Sequence, residues 1–336
     1  MRRLMLLVIG VMAVMSASVV EGASVADVGS SEARAKRDGL IAFVRWGAVS
    51  GVDARGGLLR TPEGQRIYVM NADGSGQRRL TPAATKDADY PAWSPDGRKV
   101  AFSRDGAFTS ADGTAYAQIY VMNGDGSGQR KLTRPDDGSQ FSPAWSPDGR
   151  KIAFVGHRLS DGFQEEIYVV NADGSGQRRL TRTGENSSPA WSPDGRKIAF
   201  AREPTRAGVD SGYSHIYVMN ADGSGQRRLT TGEDFDPAWS PDGHKIAFSR
   251  YTAHNRAYTQ IFVVNADGSG LRRLTHTTAA DAHPTWSPDG RKIAYTQSRD
   301  IYSDIYVMNA DGSGQRNLTR TEAYPEYHPA WSPAPR

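Results

Sequence analysis

One passage recurs six times along this chain and constrains its fold more than any other feature. Its fullest form, at residues 216–248, reads IYVMNADGSGQRRLT, then a short variable segment, then PAWSPDGHKIAF. The second half is marked by tryptophans 45 to 52 residues apart: Trp93, Trp145, Trp191, Trp239, Trp286 and Trp331. A period of this length indicates a solenoid, a propeller or an array, because one unit cannot bury its apolar face alone.

Each repeat divides into four short segments with the composition of β-strands. PAWS leads through Ser-Pro-Asp-Gly, a turn-forming sequence, directly into KIAF, which predicts a hairpin. After a loop of variable length, IYVMN alternates β-branched and aromatic residues and turns through ADGSG into QRRLT. Four antiparallel strands in each repeat are typical of a propeller blade, and the apolar spacing of a helix is absent from all copies. The sequence therefore predicts an all-β, six-bladed propeller.

The two ends of the chain carry complementary halves of one repeat. With PAWS as the innermost strand A, five continuous blades begin at Pro91, Pro143, Pro189, Pro237 and Pro284. The sixth blade takes strand A from residues 329–332 and strands B to D from residues 40–44, 66–70 and 77–81. This clasp between strands of 40–81 and strand 329–332 would close the ring without leaving a free sheet edge inside it. The propeller is predicted to span residues 39–336.

The first residues predict export. A basic start, Met1-Arg2-Arg3, precedes an apolar run from Leu4 to Met15 and several small residues, so residues 1–23 read as a signal peptide and 24–38 as a flexible leader. The alternative is a retained anchor, although the apolar run is shorter than a membrane span needs. The chain contains no cysteine, and we expect a periplasmic or secreted protein with no membrane span after signal removal.

Charge patterning argues against a nucleic-acid partner. The net charge of +4 comes from 41 basic and 37 acidic residues, and the basic ones recur as the pair in QRRLT. Such a pair predicts a solvated outer strand whose charges oppose edge-to-edge pairing.

The repeated turns and the tryptophans are predicted to be structural. The turn Asn71–Gly76 lacks the spacing and the terminal Glu of a calcium-binding EF-hand, and Asp96 with its equivalents reads as a turn-forming residue. The six PAWS tryptophans are predicted to wedge between blades, whereas Trp46 is the one expected to face a partner. Because these turns share one face, binding is predicted on the opposite face, where the B–C and D–A loops vary.

Polar residues cluster where strand A enters the central channel. Three adjacent blades contribute Asp234, Asp236, Asp281, His283, Glu326 and His328. We predict that they gather at one channel mouth and hold a cationic group of a partner or a divalent metal, for which the candidate ligands are His283, His328 and Asp236. Aromatic side chains nearby would suit a peptide anchor: Tyr90, Phe141, Phe235, Tyr324 and Tyr327.

The combination of IYVMNADGSGQRRLT with PAWSPDGRKIAF resembles the WD40-like (PD40) repeat of the TolB propeller family over about residues 39–333. The resemblance implies an exported six-bladed propeller that binds protein partners of the cell envelope, including a peptidoglycan-associated lipoprotein. It also implies a separate α/β domain before the propeller, and no such domain is expected in this chain.

These observations predict a non-catalytic interaction scaffold of the envelope with no cofactor, whose partner is an envelope protein or lipoprotein. Two alternatives stay open: a metal-dependent propeller similar to the oligogalacturonate lyases, and a carbohydrate-binding propeller. The sequence contains neither a GxSxG nucleophile elbow nor an HExxH zinc motif.

Overall fold

Six four-stranded antiparallel sheets form a ring around a central channel in the computed structural model of this chain. The structure describes residues 39–47, 49–52, 58–60, 64–83, 86–109, 115–133, 138–157, 164–204, 213–252, 258–299, 302–321 and 324–333. The predicted signal peptide and leader, residues 1–38, lie outside the described residues. None of the described residues forms a helix long and apolar enough to cross a membrane.

Strand A of every blade lines the channel, and strands B, C and D follow outward. In that order the strands are Ala88–Trp93, Lys99–Thr109, Ala115–Asn123 and Arg130–Lys131 in blade 1; Gln140–Trp145, Lys151–Gly156, Glu166–Asn171 and Arg178–Arg179 in blade 2; Glu185–Trp191, Lys197–Glu203, His215–Asn220 and Arg227–Arg228 in blade 3; Asp234–Trp239, Lys245–Tyr251, Thr259–Asn265 and Arg272–Arg273 in blade 4; Ala280–Trp286, Lys292–Arg299, Tyr302–Asn309 and Arg316–Asn317 in blade 5; and Glu326–Trp331, Leu40–Trp46, Gln65–Asn71 and Arg78–Arg79 in blade 6. A further hairpin, Val49–Val52 with Leu58–Arg60, follows strand B of blade 6.

The predicted clasp is confirmed. Strand A of blade 6 comes from the end of the chain and pairs with strand B from its beginning, with Ile41 opposite Trp331. Ser332 N donates to Leu40 O over 2.7 Å, and Leu40 N donates to Ser332 Oγ over 2.7 Å. In blade 1 the SPDG turn carries the same pair of bonds, from Ser94 N to Lys99 O and from Lys99 N to Ser94 Oγ. The clasp therefore reproduces, between distant segments, the bonding of a local hairpin.

The apolar core lies between neighbouring blades. One cluster joins Ile67, Val69 and Leu80 of blade 6 to Trp93 and Val100 of blade 1. The clusters at the other boundaries are built in the same way, each with the tryptophan of the following blade in it or packed against it. The predicted wedge role of the PAWS tryptophans is thus confirmed. A side chain of this size contributes about 2–3 kcal/mol by burial alone.

The NADGSG turns are held by their own side chains, as predicted. In the turn of blade 6, Ser75 N and Ser75 Oγ both donate to Asp73 Oδ1, and Asn71 Nδ2 donates to Ser75 Oγ. The first glycine of the motif is required for two reasons at Gly126, where φ is +95° and an added Cβ would lie 2.3 Å from Leu80 O of the preceding blade. The repeated turns therefore serve the contact between blades.

The arginines of strand D have a role beyond surface charge. In blades 1 to 5 the first arginine of strand D donates to a backbone carbonyl in the C–D turn of the next blade, as Arg130 Nη2 does to Ala172 O over 2.9 Å and Arg316 Nη1 does to Asp73 O over 3.2 Å. The prediction of a solvated outer strand missed this bond, which joins the outer rims of adjacent blades.

Candidate functional site at the channel mouth

A β-bulge interrupts strand A of every blade at the residue before the PAW or PTW segment. The backbone of that residue is left-handed in all six blades, with φ between 50° and 54°: Tyr90, Ser142, Ser188, Asp236, His283 and His328. The pairing register with strand B shifts at the same place, between Phe235 and Ala238 in blade 4 for example. Such a conformation is unusual for residues with a Cβ, and its sixfold repetition marks a constraint built into the blade.

The bulge turns this residue into the channel. All six left-handed residues line a cavity of about 320 Å³, together with the proline, the small residue and the tryptophan that follow each of them. The lining differs around the ring: blades 4 to 6 contribute an aspartate and two histidines, whereas blades 2 and 3 contribute serines. We call this polar arc, Asp236, His283 and His328, together with Asp89 and Ser188 that hydrogen-bond to it, the channel cluster.

Three hydrogen bonds and one longer contact between a histidine and a carboxylate run through the channel cluster. His328 Nδ1 lies 2.6 Å from Asp89 Oδ1, and His328 Nε2 lies 3.1 Å from His283 Nε2. His283 Nε2 in turn lies 3.6 Å from Asp236 Oδ2. Ser188 Oγ donates to Asp236 Oδ1 over 3.0 Å. Side chains from five blades are therefore connected across the channel mouth.

The two histidines have opposite charge preferences. Burial by itself would lower the pKa of His328, but the charge and the hydrogen bond of Asp89 outweigh it, so that pKa is raised. Burial would likewise raise the pKa of Asp89, yet His328 holds it below its usual value. Burial, reinforced by the neighbouring His328, lowers the pKa of His283 to about 4 although Asp236 opposes the shift. These opposite shifts favour His328 as the protonated donor and His283 as the neutral acceptor of the hydrogen bond between their Nε2 atoms.

Aromatic rings border this cluster on one side. Tyr90 stacks on His328 with ring centroids 4.1 Å apart, and Phe141 lies 6.2 Å from Tyr90. Burial, together with the charges of Asp89 and Asp236, raises the pKa of the Tyr90 phenol, which therefore stays protonated. The mouth thus combines a charged hydrogen-bonded chain with an apolar wall.

Three predicted mouth residues lie elsewhere, and this part of the prediction is wrong. Asp234, Asp281 and Glu326 are fully buried two positions before the left-handed residue and point toward strand B. A regular strand would place them beside Asp236, His283 and His328 on one face, but the bulge breaks that alternation.

Each of these buried carboxylates has a structural partner on strand B. Asp234 forms a two-point ion pair with Arg250, whose Nε and Nη2 lie 2.5 Å and 2.9 Å from the two carboxylate oxygens. Arg45 Nε donates to Glu326 Oε1 over 2.7 Å, and Gln297 Nε2 donates to Asp281 Oδ1 over 2.9 Å. These groups hold strands A and B together behind the mouth.

The remaining aromatic candidates stand around the cluster. Tyr327 is half-buried with its ring 6.3 Å from that of His328. Phe235 meets Tyr251 edge-on at 5.2 Å, and Tyr324 lies 5.7 Å from the Arg45 guanidinium. Trp46 ends strand B of blade 6 and is half-buried. Sequence reasoning missed Asp89, although it is the only acidic residue at its position among the six repeats.

The metal candidates do not present a complete ligand set. Among the described residues, no group of three or more histidines and carboxylates is arranged to hold a metal ion. Asp89 occupies Nδ1 of His328, and the two Nε2 atoms face each other within hydrogen-bond distance. In this geometry the two histidines are hydrogen-bond partners of each other.

Comparison with protein families agrees with this architecture. The family model for the PD40 repeat, described as the TolB beta propeller domain, matches residues 117–236 and 231–336, which is well over half of the chain. The chain belongs to the TolB β-propeller family. The sequence also aligns with the Tol-Pal system protein TolB of Rhizorhabdus wittichii, with 36% identity over 84 residues. That alignment covers 25% of this chain and only 17% of the relative.

Solved structures confirm the fold of this family member. TolB from Acinetobacter baumannii superposes with a TM-score of 0.70 and 22% identity, covering 89% of this chain and 67% of that protein. An oligogalacturonate lyase in complex with manganese superposes with a TM-score of 0.55 and 16% identity, covering 84% of this chain and 79% of the lyase. At these identities the likeness concerns the propeller and carries no activity with it.

Proposed function

We propose that this TolB-family propeller is a non-catalytic scaffold of the cell envelope that binds a segment of an envelope protein or lipoprotein at the channel mouth and the surrounding loop face. The observation that carries the proposal is the channel cluster beside the stacked rings of Tyr90 and His328. Rigid strands position these side chains, and a polar centre with an aromatic wall is the composition of a protein-binding hot spot. The match to proteins of the Tol-Pal system supports an envelope partner, and the N-terminal sequence supports export to the periplasm.

The two ends of the channel differ in what they offer a partner. The face with the SPDG and NADGSG turns presents nearly the same side chains wherever each turn recurs, and those side chains are engaged within their own turns. The mouth presents tyrosine, serine, aspartate or histidine, depending on the blade. Selective recognition therefore belongs at the mouth, where a partner segment can distinguish one blade from another.

Affinity capture tests the proposal directly. The tagged mature chain is incubated with solubilised envelope proteins, and the bound proteins are identified by mass spectrometry. We expect Tyr90→Ala and His328→Gln each to abolish capture of a partner that the unaltered chain retains, whereas Asp96→Asn in the opposite face leaves capture unchanged. A partner that is retained by both mouth variants but lost with Asp96→Asn would place the binding surface on the turn face and overturn the proposal.

Metal binding separates this proposal from a lyase-like activity. Titration calorimetry with Mn²⁺, Zn²⁺ and Ca²⁺ is expected to give no stoichiometric binding that depends on His283 and His328. Stoichiometric Mn²⁺ binding that His283→Gln removes, together with cleavage of oligogalacturonate, would favour the enzyme instead.

A further inference from the structure

A second pocket on the loop face, beside the channel mouth, has an acidic lining. It has a volume of about 460 Å³ and lies where blades 6, 1 and 2 meet. Its carboxylates are Asp87 of the D–A loop, Asp89 of strand A and Asp105 of strand B in blade 1, and Glu165, which directly precedes strand C of blade 2. Arg104 also lines the pocket, but its guanidinium lies over the ring of Tyr120 at 5.0 Å and reaches Gln129 Oε1 at 3.4 Å.

Two of the four carboxylates are already neutralised within the protein. Arg66 Nη1 lies 3.5 Å from Asp87 Oδ1, and His328 holds Asp89. Asp105 and Glu165 have no hydrogen bond or ion pair through their carboxylates to any described residue. Burial, assisted by Asp87 and Asp89 and opposed by Lys86, raises the pKa of Asp105, and burial together with Glu185 raises the pKa of Glu165 to about 6. Both groups would gain from a cation placed between them.

A buried hydroxyl without a partner also lines this pocket. Ser103 is only 4% exposed, and its Oγ has no hydrogen-bond partner. At the equivalent position of blade 4, Ser249 Oγ donates to Asp236 Oδ2 and accepts from His283 N. Blade 1 has Tyr90 in place of that aspartate, so the Ser103 hydroxyl lacks its carboxylate partner. An unpaired buried hydroxyl is costly, and a hydrogen-bond donor in the pocket would remove the cost.

The chemistry favours an organic cation over a metal ion. The carboxylates are spread around the lining, and no three of the described histidines and carboxylates form a metal-binding set. Tyr90 and Phe141 add aromatic rings to the wall, which attract an alkylammonium group through its charge and pack against its methylene groups. An ammonium group also offers three donors, enough for Asp105, Glu165 and Ser103.

We propose that this pocket binds a primary alkylammonium group through Asp105, Glu165 and the Ser103 hydroxyl. The same chemistry is offered by a lysine side chain of a polypeptide and by a free diamine. The proposal does not depend on the channel mouth binding a protein segment, because the pocket is tested with small probes.

NMR titration of the full chain tests the proposal with three probes. These are N-acetyl-lysine methylamide, cadaverine and the uncharged N-acetyl-norleucine methylamide. We expect saturable shifts with at least one of the two ammonium probes and none with the norleucine analogue. Stronger binding of the lysine probe assigns the pocket to a polypeptide side chain, and stronger binding of cadaverine assigns it to a free amine. Equal binding of the norleucine analogue, or no binding of either amine, would overturn the proposal.

Matched variants connect binding to the pocket. Asp105→Asn should weaken ammonium binding about tenfold, since a charge-assisted bond is replaced by a neutral one. Ser103→Ala should weaken it about threefold without lowering the melting temperature, because the hydroxyl has no partner in the protein. Thr296→Val is the control, since Thr296 Oγ1 is the equivalent unpaired hydroxyl in blade 5 and lies outside this pocket. Affinity unchanged by Asp105→Asn would contradict the proposed site.

Discussion

Ser332 and Leu40, 292 positions apart in the sequence, share two hydrogen bonds of 2.7 Å that the continuous blades form within a single turn. The stability of the ring therefore depends on a contact between distant segments. The same junction buries Ile41 and Trp331 against blade 5, so polar and apolar contacts depend on one short strand. Loss of this strand would expose the facing surfaces of blades 5 and 6.

Removing residues 329–336 is expected to abolish the cooperative thermal unfolding transition, because strand A of blade 6 loses the half that pairs with the start of strand B. Removing only residues 334–336, which follow the clasp, should leave the melting temperature unchanged. Ser332→Ala, which deletes the bond from Leu40 N and the bond that Ser332 Oγ donates to Pro333 O, should lower the free energy of unfolding by about 1–2 kcal/mol. Differential scanning calorimetry measures all three. A melting transition unaltered by the longer deletion would contradict closure by the clasp.

Asp234 is expected to stabilise the fold. Asp234→Ala leaves the largely buried Arg250 guanidinium without its partner and should cost about 3–5 kcal/mol in denaturant unfolding. The exposed Arg291, 3.9 Å from Asp289, gives the comparison, since Arg291→Ala should change stability by less than about 0.5 kcal/mol. Unchanged stability of the Asp234 variant would show that this carboxylate is free to act at the mouth.

The histidine pair should titrate in two separate steps. In an NMR titration of the imidazole protons, His328 should lose its proton above pH 6.5 and His283 should gain one only near pH 4. Asp89→Asn should lower the pKa of His328, because it removes the charge and the hydrogen bond that raise it. Identical titration of the two imidazoles near pH 6.5 would exclude the assigned charges.

The stability contributions of the pair follow from the signs of the two shifts. The raised pKa of His328 gives a contribution that is complete below pH 6.5 and is lost as the pH rises through the folded value. The lowered pKa of His283 gives the opposite dependence, present above pH 6.5 and lost as the pH falls toward 4. The free energy of unfolding, measured from below pH 4 to above pH 6.5, should therefore vary less with pH in the double variant His283→Gln/His328→Gln than in the unaltered chain.

The backbone strain of the left-handed residue in strand A can be tested at Ser142, where φ is +51°. Ser142→Gly should keep or raise the melting temperature, since glycine adopts this conformation without strain. Ala144→Gly, two residues further along the same strand, should cost about 0.5–1 kcal/mol because the backbone there is extended. A larger loss of stability in Ser142→Gly than in Ala144→Gly would argue against backbone strain at Ser142.

The repeats predicted the fold well because each strand and turn is specified locally five or six times over. The alternating pattern of IYVMN, the SPDG and NADGSG turns and the two half-repeats at the chain ends determine the blades, their order and the clasp. The wedge position of the tryptophans follows from the same pattern, because one large apolar residue recurs at one strand position. Nothing in these predictions depends on contacts between unlike segments.

The mouth was predicted less well because period-two alternation fails at the bulge. Asp234 and Asp236 are two residues apart and were expected on one face, yet one pairs with Arg250 and the other lines the channel. The repeats contain a signal for this difference: Arg45 of strand B lies opposite Glu326, as Arg250 lies opposite Asp234. Comparison of pairing partners between repeats would have identified the buried pairs. The bond from Asp89 to His328 spans two blades and leaves no such local signal.

The bulge at the channel also limits which residues the mouth can present to a partner. The six ring positions accept side chains compatible with a left-handed backbone, and valine, isoleucine and threonine are disfavoured there. A substitution by another compatible residue changes the channel surface of one blade, while the rest of strand A and its packing stay the same. The inner surface of the propeller can therefore change blade by blade, and it draws on polar, aromatic and small residues with few branched aliphatic ones.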